Sequence, residues 1–353
     1  MGSGESQNLL AMSPAAGCGC KLPLQQMRDF MTGLNALHLL RPHSAGVVLD
    51  GTDGDDAALY EIEPGRLLAV TTDFGTPVSA DAYTWGRIAA ENALSDVYAM
   101  GARPLLALSM LAVPDTFDVA LMQRLTDGAL ATLSEAGAPL VGGHTVRSSV
   151  PFFGLSLVGE VPAGQPMLLR NAHPGDRLVL TKQLGVGVVL AAAKAEVIPP
   201  DLLQQAEAEM LRSNRAAAAV ATRLGIAAAT DVTGFGLIGH LQNMMDASGC
   251  SADLWASTVP VLAGVEELLE EHAVVPNSAE NNMFVADEYV DWAGARFALR
   301  LILCDPQTSG GLLLAVDPSA EREFVDECAA AGVNAVVIGE VHQAREDSVV
   351  LCP

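Results

Sequence analysis

A two-domain fold of mixed α/β (α+β) class is predicted by three features of this 353-residue chain. Apolar strand-like runs alternate with helix-like segments in both halves, as in sheets covered by helices. Pro162, Gly164, Pro166, Pro174 and Gly175 cluster where that alternation pauses, placing a domain boundary near residues 161–175. Half of the residues are apolar and only 5% are aromatic, so a large core must be built mainly from Ala, Leu and Val. The organisation expected is a flexible arm over 1–22, a first domain over 23–162 and a second over 163–353.

The elements follow in order. Residues 1–20 are small and polar, the composition of a mobile arm. A helix is predicted over 23–40, where Leu24, Met27, Phe30, Met31, Leu34 and Leu37 recur at helical spacing. "AGVVLDGTDGDDAALYEI" reads as strand, acidic turn and strand, and "RLLAVTTDFG" as an apolar strand ending in Thr-Thr-Asp. "TWGRIAAENALSDVYAMG" is a helix closed by Gly101, "RPLLALSMLAVP" a buried strand, and 118–136 a second helix. "APLVGGHTVR" and "PFFGLSLVGEV" are strands joined by a turn. In the second half, strand "DRLVLTK" precedes helix "GVVLAAAK" and one Ala-rich helix over 201–223. "ATDVTGFGLIGHL" leads from strand or turn into helix, and "DPQTSGGLLLAV" gives a polar loop and a strand. A helix over 318–331, strand "AVVIGEV" and a short tail end the chain.

The formal net charge of −23 argues against nucleic-acid partners and against an anionic membrane surface, both of which need basic contacts. It also means that an anionic substrate would need a metal ion to offset repulsion. The six cysteines show no C-x-x-C and no zinc-like spacing with histidine, which is consistent with the reduced thiols of a cytoplasmic protein. The first ten residues lack a signal-peptide pattern, and no uncharged run approaches the ~18 residues of a spanning helix.

Asp53, Asp55 and Asp56 form D-x-D-D in a turn, Asp73 ends a strand, Asp96 follows Asn92 by one helical turn, and Asp231 lies in "TDVTGFG". Each alone suits a turn or a helix cap. Recurring at strand ends in an apolar chain, they also suit a hard cation such as Mg²⁺ shared with nucleotide phosphates. "GFGLIG" matches G-x-G-x-x-G formally, but the polar "ATDVT" before it favours a tight turn over a dinucleotide site. No Gly-Lys pair exists, so a P-loop is excluded. Gly143, His144 and Thr145 sit in "VGGHT", where glycine lets backbone approach phosphate; "DPQTSGG" offers the same, or a plain turn.

"GCGCK" holds two of the six cysteines and one of three lysines, Cys18, Cys20 and Lys21. A lysine favours the thiolate of a nearby cysteine, and flanking glycines would let the segment swing. Three readings stand on the residues alone: a nucleophile or carrier for a soft atom, a soft-metal site, or an inert arm.

Taken together, "GCGCK", "DDAA", "TTDF", "GRIAAENALSDVYAMGARP", "GGHT", "TDVTGFGLIGHL" and "DPQTSGGLLLAV" resemble the selenophosphate synthetase (selenide, water dikinase) family. The wider group is the aminoimidazole ribonucleotide synthetase-like ATP-binding proteins. The motifs fall in family order from residue 17 to about 316. "GCGCK" separates the selenium enzymes from relatives acting on other acceptors. The resemblance implies the reaction ATP + selenide + water → selenophosphate + phosphate + AMP, supplying selenium for selenocysteine and selenouridine. It implies a homodimer through the first domain, Mg²⁺ and often K⁺, and a selenium-delivery protein as a conceivable partner. It assigns catalysis to Cys18 and Lys21 and magnesium to Asp56, Asp96 and Asp231. Nucleotide contacts fall to Lys21, Asp53, Gly54, Asp55, Asp73, Asp96, Gly143, His144 and Thr145. Gly54 departs from the family, which often has Arg there, and alters the phosphate contacts expected of that turn. A thiol carrier without nucleotide dependence and a dinucleotide oxidoreductase are the competing classes.

Overall fold

The computed structural model describes residues 8–36, 45–51, 54–162, 165–272 and 274–352. The first half carries α1 (Leu24–Ala36), β1 (Val47–Leu49), β2 (Ala58–Glu63), β3 (Arg66–Gly75), α2 (Ala82–Ala99), β4 (Arg103–Val113), α3 (Val119–Ala136), β5 (Leu140–Arg147) and β6 (Phe152–Val161). Asp81 and Asp118 start α2 and α3 by accepting the Thr84 and Leu121 backbone N–H groups. The six strands order as β1-β2-β3-β6-β4-β5. Only β4 and β5 run parallel; β5 reaches β6 by a short turn yet pairs with β4.

The second half carries β7 (Arg177–Leu180), α4 (Val186–Lys194), α5 (Pro200–Met210), α6 (Arg215–Arg223), β8 (Ala228–Asp231), α7 (Gly236–Ser248), β9 (Cys250–Trp255), α8 (Val265–His272), α9 (Asn277–Ala286), β10 (Val290–Asp291), α10 (Phe297–Leu303), β11 (Leu312–Val316), α11 (Pro318–Ala330), β12 (Val336–Gln343) and β13 (Val349–Cys352). Its seven strands order as β10-β13-β9-β12-β7-β11-β8.

The core is one continuous apolar cluster that runs through both halves. Helix α2 joins them: it packs on α3 and on β3 and β6 of its own sheet, and also on β8, α5 and α6. Its polar Glu91, Asn92, Ser95 and Asp96 are buried along with its apolar side chains. At the junction of the two halves Asn92, Ser95 and Asp96 find hydrogen-bond partners, whereas Glu91 Oε2 is buried with none.

Three expectations are corrected. The Ala-rich segment 201–223 is two helices, because Asn214 turns inward to donate to Ser95 Oγ (2.8 Å) and the Gly310 carbonyl (2.7 Å). The short tail is a strand, β13, parallel to β9. The "DPQTSGG" loop is polar, as expected, and buried throughout. The arm, over its described part, is packed: Leu9 and Leu10 are buried and Gly17 forms an antiparallel bridge with Thr76. The helix expected over 23–40 is found over Leu24–Ala36, and residues 37–40 lie outside the described residues. Among the described residues no helix is long and apolar enough to cross a membrane.

Candidate active site

Glycine at position 17 is required for contact rather than for swing. Its φ is +51°, and a Cβ there would lie 2.2 Å from Thr308 Oγ1 and 2.5 Å from Val78 Cγ1. The close approach seats a short 3₁₀ turn, Cys18–Cys20, on the end of β3 and on the "DPQTSGG" loop. The Cys18 N–H donates to Thr308 Oγ1 at 3.0 Å, and the Lys21 N–H closes the turn on the Cys18 carbonyl.

Asn92 is the hub. Its Nδ2 donates to Asp73 Oδ2 at 2.8 Å, while its Oδ1 accepts from the Ser309 N–H at 2.6 Å and from Cys18 Sγ at 3.5 Å. One side chain on α2 therefore ties together the arm, strand β3 and the loop before β11. Lys21 Nζ donates to the same Asp73 oxygen at 3.0 Å; the lysine side chain is 34% exposed and Asp73 only 7%. Burial works against the Lys21 charge. Asp73, Cys18 and Asp96 outweigh it and hold the ammonium's pKa well above its usual value.

The thiol behaves in the opposite sense to expectation. Lys21 does favour a Cys18 thiolate, but burial is the larger effect and Asp73 opposes too, so the pKa is pushed up to about 12. Cys18 is a protonated, buried S–H donor at neutral pH.

Asp56, Asp96 and Asp231 form a second buried group. Thr71 Oγ1 donates to Asp96 Oδ2 at 2.6 Å, and Thr230 Oγ1 to Asp56 Oδ1 at 2.8 Å. Burial raises Asp56 and Asp96 well above the ordinary carboxyl range; the charge of Asp231 adds to both, with Asp96 further raising Asp56 and Asp73 further raising Asp96. Burial also lifts Asp231 to about 6, against a hydrogen bond from Ser95 and the Lys21 charge. Asp56 Oδ2 and Asp231 Oδ2 are buried with no hydrogen-bond partner. Mutually repelling carboxylates with orphaned oxygens are a donor set that suits a hard divalent cation. Among the described residues no three such side chains converge on one point as a ready-made cage.

The other expected positions divide. Asp53 lies outside the described residues. Gly54 is at φ +84° with open space around it. Asp55 Oδ1 accepts from the Leu169 N–H at 2.8 Å, so it ties the acidic turn to the second half. Gly143, His144 and Thr145 are exposed on β5. Register places Asp73, Leu155, Ser109 and Gly143 in one row across β3, β6, β4 and β5. Three strand spacings separate Asp73 from Gly143, about 14 Å. Within one chain these three residues do not join the Cys18 cluster.

Sequence reasoning missed Asn92, Thr308, Ser309 and Lys182 as site residues. Ser309 sits at φ +50°, and its carbonyl accepts from the buried Lys182 Nζ at 2.6 Å. Burial lowers Lys182 to about 8, partly offset by Glu91 and Glu209. The dinucleotide reading of "GFGLIG" fails on topology: β8 is an edge strand antiparallel to β11, not the central parallel strand that fold requires. Gly236 is there because a Cβ would lie 2.5 Å from the Cys304 carbonyl carbon.

Fold and site define the AIR synthase related class. Its N-terminal domain description matches residues 54–161 and its C-terminal domain description residues 173–352. Thiamine-monophosphate kinase from Stenotrophomonas maltophilia has a similar fold, with a TM-score of 0.65, 20% identity, and coverage of 94% of this chain and 96% of that one. In sequence the chain is 37% identical over 344 residues to a selenide, water dikinase of Cronobacter sakazakii, covering 97% of each. It is 38% identical to that of Salmonella typhi, again covering 97% of each. The chain belongs to the selenide, water dikinase family.

Proposed function

We propose that this chain makes selenophosphate from ATP, selenide and water, releasing AMP and phosphate. The observation that carries the reading is the seating of "GCGCK" beside the carboxylates: Lys21 on Asp73 and Cys18 on Asn92, next to Asp56, Asp96 and Asp231. Asp56, Asp96 and Asp231 would hold Mg²⁺, which would offset the charge of the triphosphate. K⁺ is the accompanying monovalent ion that the family resemblance implies. Lys21 stays protonated throughout the working pH range and is partly exposed, so its ammonium can meet a phosphoryl oxygen. Asn92 and Asp73 hold it in place, which reduces the reorganisation needed when charge develops. Selenide is itself a strong soft nucleophile, so the buried, protonated Cys18 need not attack phosphorus.

We assign the homodimer to the open face of the six-stranded sheet. Val70 and Phe74 on β3, Tyr60 on β2 and Leu108 on β4 are large, apolar and 39–50% exposed. A second copy laid on that face would remove them from water.

The test is anaerobic incubation with ATP, Mg²⁺ and selenide, following AMP and the phosphorus–selenium product by ³¹P NMR. AMP release that needs selenide is expected. Equal ATP consumption with and without selenide would refute the assignment.

A further inference from the structure

At the C-terminal end of α2 lies a cleft of about 510 Å³ that shares no lining residue with the Cys18 turn or with Asp56, Asp73, Asp96 and Asp231. The first half supplies Tyr98, Ala102 and Arg103 to it; the second supplies Arg215, Ala218 and Arg223 of α6. A cleft of this size at the junction of two units has room for a small organic ligand. Its floor is apolar and closed, with Tyr98, Ala102 and Ala218 only 4%, 6% and 4% exposed. Its rim is cationic, since the three arginines are exposed. Among the described lining residues there is no Asp or Glu, in a chain with 42 acidic residues against 19 lysines and arginines. Three guanidiniums gathered without a carboxylate between them run against that composition.

The partners of these arginines lie outside the cleft and leave positive charge on its rim. Arg103 meets Glu160 at 3.2 Å, but Arg66 holds the same carboxylate at 3.1 Å. Arg223 Nη1 donates to Glu327 Oε1 at 3.0 Å. Arg215 Nη1 donates at 2.7 Å to the Glu135 backbone carbonyl, a neutral acceptor, while the Glu135 carboxylate is taken by Arg87 at 3.2 Å. The last contact also ties α6 to the end of α3, so it holds the two sides of the cleft at a fixed spacing.

We propose that this cleft is a second ligand site, for a small anion with a flat apolar body. The rings would lie on the floor of Tyr98, Ala102 and Ala218, and a carboxylate, sulfonate or phosphate head would meet the arginine rim. Guanidinium suits both parts, because its planar fork pairs with such heads through two hydrogen bonds and its face stacks on flat rings. The site is independent of the reaction the chain catalyses. Its consequence for that reaction comes through position: Tyr98 follows Asp96 by two residues on α2, and α6 follows Asn214, which is bonded to Ser95. A ligand here bridges the two halves without entering the carboxylate centre, and stabilises the folded chain by mass action.

The probe is 8-anilinonaphthalene-1-sulfonate, which carries an anionic head on a flat apolar body. Fluorescence titration of the wild-type protein should show saturable binding at about 10–100 μM. Saturating Mg-ATP should leave the probe in place, and the uncharged analogue N-phenyl-1-naphthylamine should bind about ten-fold more weakly or worse. Ala219, exposed on α6 at the cleft, allows it to be filled from the rim. Ala219→Trp should weaken the probe about ten-fold or more, with Mg-ATP affinity unchanged within about two-fold. The Arg103→Gln/Arg223→Gln double variant should weaken it about ten-fold as well. No saturable binding by wild type, displacement by Mg-ATP, or equal affinity for the uncharged analogue overturns the proposal. So does unaltered binding in a folded Ala219→Trp protein, which would place the probe elsewhere.

Discussion

Replacing Asn92 with alanine perturbs the site at its hub. The change removes a 2.8 Å bond to the Asp73 carboxylate and leaves the Ser309 N–H, bonded at 2.6 Å in the native protein, without its acceptor. A hydrogen bond to a charged group contributes about 1.5–3 kcal/mol, and an orphaned buried donor costs about 1–3 kcal/mol. The two share one side chain and do not simply add, so a loss of roughly 3–5 kcal/mol is expected, a large part of a typical ~5–15 kcal/mol stability. For a chain of this size that corresponds to a fall in melting temperature of about 4–7 °C. Differential scanning calorimetry measures it, and limited proteolysis reads whether residues 8–20 come loose. Turnover should fall about ten- to hundred-fold, since Asp73 and Lys21 lose their orientation. The Asn92→Asp protein sharpens the test: it keeps an acceptor for Ser309 but sets a carboxylate against Asp73, so its deficit should shrink as pH falls. A melting point within 1 °C of wild type, with the arm equally protected, would show that Asn92 does not hold these three segments together.

Other expectations can be checked separately. Lys21→Met should reduce AMP formation by about a hundred-fold or more while the folded protein still binds Mg-ATP by calorimetry; turnover within three-fold of wild type would remove Lys21 from the chemistry. Gly17→Ala drives a Cβ into Thr308 and Val78 at positive φ; it should release the arm and speed alkylation of Cys18, read by mass spectrometry, at least ten-fold. In the unmodified protein Cys20, which is half-buried, should be alkylated well before the buried Cys18. Asp305 is raised to about 7 by burial, against hydrogen bonds from Val188, Gln307 and Gly187. A carboxyl whose folded pKa is raised binds its proton more tightly when folded, so it costs stability as pH climbs from about 4 to about 7. Wild type should therefore lose stability relative to Asp305→Asn across that window, and parallel melting curves for the two proteins would contradict the buried-carboxyl account.

The electrostatics of the centre make sense only with both groups in view. In a chain of net charge −23, the acids Asp56, Asp73, Asp96 and Asp231 are drawn into one buried region with Lys21 beside them. Burial penalises the carboxylates of Asp56, Asp96 and Asp231, and the charge of Asp231 adds to the penalty on the other two. A divalent cation with a triphosphate would relieve that penalty.

The sequence by itself determined the alternation of strands and helices, and the motif set that carries the family. Those are local properties: periodicity, turn residues and spacing act within a few residues of chain. It also supplied Cys18, Lys21, Asp56, Asp73, Asp96 and Asp231 as candidates, because acidic and thiol residues stand out in an apolar chain. Only the tertiary structure decided what they do together. Asn92 looked like a helix residue sharing a face with Asp96, and it joins segments 74 and 217 positions away. The glycines of "GCGCK" suggested motion, whereas Gly17 is fixed by the lack of room for a Cβ. Lys21 argued for a thiolate, and desolvation, which no local pattern reports, reversed that. Gly143, His144 and Thr145 read as part of the same site, and strand order places them across the sheet. Burial, register and close approach depend on residues far apart in the chain, so their consequences for charge and reactivity appear only once the fold is formed.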